Sequence, residues 1–103
     1  MTVDKNRFTK SERKELRELV GLAYERELGK ALEALEESFR QWRKKKISAF
    51  ELSDRIHKFH NGVARDLWGF YEIGHTELLV RHAIAEEIIL KSEVSPGILG
   101  KLT

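Results

Sequence analysis

The chain has no cysteine, one proline and one methionine among its 103 residues. Without cysteine it has no disulfide framework, no thiolate nucleophile and no zinc site built on sulfur. Its only proline is Pro96, so nothing before that position imposes the break that proline makes in a helix. No apolar run approaches the roughly 20 residues that cross a bilayer, and "MTVDKNRFTKSERKE" lacks the apolar stretch of a secretory leader. These absences set the expectation of a cytoplasmic protein with no membrane segment.

Catalytic signatures are also missing. There is no Gly-x-Ser-x-Gly elbow and no phosphate-cradling glycine loop. Ser11, Ser48 and Ser95 all stand where helices are expected to begin. No His, Asp and Ser arrangement follows from spacing. The expectation is a protein that is not an enzyme, with no catalytic residue and no cofactor.

What is present is charge and helical periodicity. A hydrophobic fraction of 41% beside a charged fraction of 35% suits one folded domain rich in surface helix. The formal net charge is only +2, but residues 1–46 hold 13 basic and 9 acidic side chains, and the remainder 6 and 8. The positive excess is densest in "RQWRKKK".

From Ser11 to Lys45 apolar residues recur at intervals of three and four: Leu16, Val20, Tyr24, Leu28, Ala31, Leu35, Phe39 and Trp42. The pattern predicts a first helix over 11–45, after a flexible 1–9, with Thr9 and Ser11 competing as its cap. Ser48, Glu51, Ile47 and Leu52 form a capping box and hydrophobic staple that start a second helix over 48–71. Its stripe is Leu52, Ile56, Phe59, Val63, Leu67 and Phe70, and because the spacing continues across Asn61-Gly62 one helix, with or without a kink, is expected there. His57, His60, Ala64, Trp68 and Tyr71 make a second stripe that widens the buried face. Gly74 and Thr76 mark a stop and a cap, giving a third helix over 76–92, and Ser95-Pro96 opens a short turn over 95–102 that lays Ile98 and Leu99 on the core. The expected fold is all-α: a three-helix bundle with a long N-terminal helix in an antiparallel hairpin and a short C-terminal helical turn.

Three candidate sites follow. A first helix of roughly 50 Å outreaches the others, so Leu16, Leu19, Val20 and Tyr24 are expected to remain uncovered and to form the interface of a homodimer or of a helical protein partner. Arg40, Arg43, Lys44, Lys45 and Lys46, with Trp42 for stacking, make a nucleic-acid or acidic-partner surface; a basic last turn of a helix is the plainer account. In "DRIHKFHNG", Asp54, His57 and His60 stand three apart, so one helix offers two metal ligands at most. His82 and Glu86 are the best second pair, and His57, His60, His82 and Glu86 form the candidate metal set. The alternative is that these histidines pack at a helix edge, half-buried.

Overall fold

The structure is a computed structural model and describes residues 7–102. It is all-α: α1 (Lys10–Arg43), α2 (Ala49–Phe59), a π-helical turn (His60–Ala64), α3 (Arg65–Ile73), α4 (Thr76–Ala85), a 3-10 turn (Lys91–Glu93) and α5 (Pro96–Leu102). No strand occurs among the described residues. The flexible start expected over 1–9 lies outside those residues as far as position 6. Beyond it the expectation fails, because Phe8 is buried and Thr9 caps α1.

Thr9, not Ser11, begins the first helix. The Glu12 N–H donates to Thr9 Oγ1 at 3.0 Å and the Thr9 N–H donates to Glu12 Oε1 at 2.8 Å, a complete capping box. At Ser48 the box is half made. The Glu51 N–H donates to Ser48 Oγ at 3.1 Å, while the Glu51 carboxylate accepts from Arg55 instead.

α1 ends at Arg43 and α4 at Ala85, the latter well short of the expected 92. The reason is the same at both ends. Lys45 (φ 60°) and Glu87 (φ 56°) turn left-handed. Lys46 N–H then donates to the Gln41 carbonyl and Lys45 N–H to that of Trp42. Likewise Ile88 N–H donates to the Ala83 carbonyl and Glu87 N–H to that of Ile84. These are Schellman closures made without glycine, so no glycine marked them in the sequence. At the start of α4 the cap position is taken by His75, not Thr76.

The second helical segment runs without interruption from Ala49 to Ile73, as expected, but not in regular phase. In a straight α-helix eighteen residues make five turns, so Phe70 would lie on the same line as Leu52. The π-helical turn His60–Ala64 adds one residue to that count. The buried residues are accordingly Leu52 and Tyr71, while Phe70 is 43% exposed. The second stripe does not widen the buried face: His57, His60 and Trp68 are exposed and only Tyr71 of the five is buried.

The chain divides into two compact units, 7–24 with 74–102, and Glu25–Ile73, and α1 contributes a part to each. The unit 7–24 with 74–102 holds most of the core: Phe8, Leu16, Leu19, Ala23, Leu79, Val80, Ala83, Ile89, Val94, Ile98 and Leu102 are buried. Its polar fastenings converge on α1. Glu12, besides capping, pairs with Lys101 of α5 and fills the space that a side chain on Gly97 would need. Glu15 accepts the Ser95 N–H at 2.9 Å, just ahead of α5. Arg7 pairs with Glu77, and both Arg7 and Lys101 stand over the Phe8 ring, 5.2 and 5.7 Å from its centre.

The Lys101 ammonium, and after it the Thr9 N–H, hold the Glu12 carboxyl below the ordinary 4.5. A carboxyl whose pKa is lowered by folding stabilises the fold above the unfolded value and loses that contribution as pH falls through the folded one. Glu12→Gln is therefore expected to flatten the fall in stability below pH 4.5, measured by urea unfolding at a series of pH values; an unchanged acid limb would remove Glu12 from the account. Glu87→Gly is expected to raise stability by about 0.5–1 kcal/mol, because a left-handed residue with a Cβ carries a steric cost that glycine lacks. Glu87→Val should lower it, and the midpoint of urea unfolding reads both.

Candidate functional site: the apolar face of the hairpin

The unit Glu25–Ile73 is a two-helix hairpin formed by the second part of α1 with α2, the π-helical turn and α3. Its pairings run in reverse order along the chain, which makes the helices antiparallel. Arg55 donates to Ser38 Oγ at 3.2 Å, to Gln41 Oε1 at 2.8 Å and to Glu51 Oε1 at 3.1 Å. Farther along, the Tyr71 hydroxyl donates to Glu27 Oε2 at 2.6 Å. Burial, and then the carboxylate it faces, push the Tyr71 phenol well above the ordinary tyrosine range, so it remains a donor. These two clusters fix the rotation of the second segment about α1.

That rotation leaves apolar side chains uncovered. Among the described residues, eight of the ten exposed large hydrophobics belong to this unit. They are Leu32, Trp42, Phe50, Ile56, Val63, Trp68, Phe70 and Ile73, and only Leu52 and Tyr71 of its apolar and aromatic side chains are buried. Two helices in one layer hide the surfaces that face each other and nothing more. On α1, Leu28, Leu32, Leu35, Phe39 and Trp42 alternate at four and three residues, the spacing of a single coiled-coil-like seam. Leu32, Leu35 and Phe39, with Glu36, Arg40 and Arg43, line a shallow open groove.

This overturns the expected location of the uncovered face. Leu16 and Leu19 are 3% and 5% exposed, and Val20 and Tyr24 are half-buried. The amino end of α1 lies in the unit that also holds α4, the 86–95 segment, α5 and Phe8, so its stripe is covered within one chain. Length alone suggested the wrong half of the helix.

The basic set is exposed throughout: Arg40, Arg43, Lys44, Lys45 and Lys46. Arg40 is engaged by Glu36 and Glu37. Trp42, Lys45 and Lys46 line one open depression with the residues of the turn that follows. The metal set does not assemble. Among the described residues no group of three or more His, Cys, Asp or Glu side chains is placed to hold an ion. His57 shares a hydrogen bond with the Asn61 side chain at 3.0 Å, four residues on, and both it and His60 face solvent. His82 is half-buried and Glu86 exposed, in the other unit. Nor are the two exposed histidines half-buried packing residues, since at about 100° per residue His57 and His60 stand about 140° and about 80° from the buried Leu52.

No helix of the described residues is long and apolar enough to cross a membrane. No protein-family model, no curated protein and no solved structure matches the chain.

Proposed function

We propose that the chain is a non-enzymatic interaction or regulatory module that binds protein through the apolar face of the hairpin Glu25–Ile73. The observation that carries this reading is the contrast between the two units. One buries its apolar stripes, whereas the other presents Leu32, Ile56, Val63 and Phe70 to water at the spacing of core residues. Large apolar side chains left uncovered on one unit of a folded chain are the usual mark of an interface, and two helices laid against the hairpin complete a bundle. The occupant is a helical protein or another copy of the chain.

The test is a photo-crosslinking residue at position 32, expressed in the native host. A discrete adduct is expected, and Phe39→Glu should lower its yield at least about tenfold, since a charge buried at an interface costs well over 1.4 kcal/mol. Circular dichroism confirms that the variant is folded. No adduct, or one indifferent to Phe39→Glu, would overturn the reading.

A second reading rests on Trp42, which is 40% exposed and lines the same depression as Lys45 and Lys46. An aromatic ring among lysines suits a single-stranded nucleic acid, with stacking on the ring and phosphates on the ammonium groups. Binding of a labelled oligonucleotide should then fall steeply with salt; none at about 50 mM salt would end this reading.

A further inference from the structure

We infer that the occupant of the hairpin face is a second copy of this chain, docked antiparallel about a two-fold axis near residue 34 of α1, with Glu25 of each copy against Arg43 of the other. The inference rests on the proposed interaction surface and identifies what covers it.

The argument begins with charge along one helix. Between residues 25 and 37, α1 carries five acidic side chains, Glu25, Glu27, Glu33, Glu36 and Glu37, and two basic ones, Arg26 and Lys30. From 40 to 46 every charge is basic and there are five. A second copy that lies parallel and in register sets like charge against like, whereas one turned end for end about residue 34 sets Glu25 against Arg43 at both ends and leaves Glu33, Glu36 and Glu37 near the axis. With a second copy the same contact is made twice, which is the property of a two-fold interface.

The spacing of two residues makes this specific. Glu25 and Arg43 are eighteen residues apart, which is five turns, so they stand on one line of α1 about 27 Å from each other. Both are exposed, and Arg43 lines the groove with Leu32, Leu35 and Phe39. Because of that separation the two cannot meet within one chain. A two-fold axis at their midpoint brings each against its counterpart in the second copy. The same rotation sets Leu32 near Leu35 of the second copy and Leu28 near its Phe39, so the apolar stripe is covered while Glu25 and Arg43 at its ends are paired. Two hairpins joined in this way make four helices, the number of a four-helix bundle.

The experiment is sedimentation equilibrium on the full chain, with the single reversals Glu25→Arg and Arg43→Glu and the double reversal. The wild type is expected at twice the 12.0 kDa of one chain. Each single reversal puts like charges together at two symmetric places and should weaken the dimer at least about tenfold, and the double reversal should restore it to within about threefold. Arg43→Glu also disturbs the carbonyl end of α1, but that local effect cannot be repaired from 27 Å away, so rescue by Glu25→Arg reports contact between copies. A wild type that stays monomeric to about 100 μM, weaker than interfaces of this kind form, overturns the second copy. A dimer without rescue overturns the antiparallel pairing. In the first case a discrete crosslink from position 32 to a different protein would leave the interaction surface standing; absence of any crosslink would remove both.

Discussion

From Leu52 to Tyr71 the second helical segment takes nineteen residues to return to one line, where a regular helix takes eighteen, and the hairpin's surface follows from that extra residue. With regular phase the buried line would run from Leu52 to Phe70, and Tyr71 would stand a hundred degrees away. Instead Tyr71 reaches Glu27 and its hydroxyl satisfies a half-buried carboxylate. Phe70 keeps an edge-to-face contact with the Tyr71 ring, centroids 5.1 Å apart, but meets water on its outer side. The choice between a buried phenylalanine and a buried tyrosine thereby decides both what pins the hairpin and what it exposes.

The two units are stabilised differently. Residues 7–24 and 74–102 form a small hydrophobic core fastened at its edge by carboxylates of α1. Glu12 and Glu15, three residues apart, receive a side-chain ammonium and a backbone N–H from the region of α5. Glu25–Ile73 has almost no core of its own and is positioned by polar side chains, Arg55 above all. Hydrogen bonds set geometry well but contribute only about 0.5–1.5 kcal/mol each in net terms. A unit that relies on them while leaving apolar stripes uncovered gains most from association.

Much of this was legible in the residues themselves. The Ser48 start, the length of α1, the hairpin and the turn at Pro96 follow from side chains with one strong local preference, whereas Thr9 and Ser11 offered competing starts. Three things were hidden, each for its own reason. The closures at Lys45 and Glu87 use residues that only rarely turn left-handed. The π-helical turn alters phase without ending the helix, and a stripe read at 3.6 residues per turn passes through it unnoticed. Helix length points to Leu16 and Leu19 as the exposed face, whereas coverage depends on how many elements share each part of α1.

The contacts of the two units span very different stretches of chain. In Glu25–Ile73 the pairs Arg55–Gln41, Arg55–Ser38 and Tyr71–Glu27 join residues 14, 17 and 44 positions apart. In the other unit Arg7–Glu77, Glu15–Ser95 and Glu12–Lys101 join residues 70, 80 and 89 apart. Closing a longer loop costs more entropy, and contacts between distant residues form later on average. On a ribosome the difference is sharper still, because Lys101 is added only after the whole of Glu25–Ile73. The hairpin can therefore fold while residues 7–24 still wait for their partners in 74–102, so its exposed surface is available before the other unit closes.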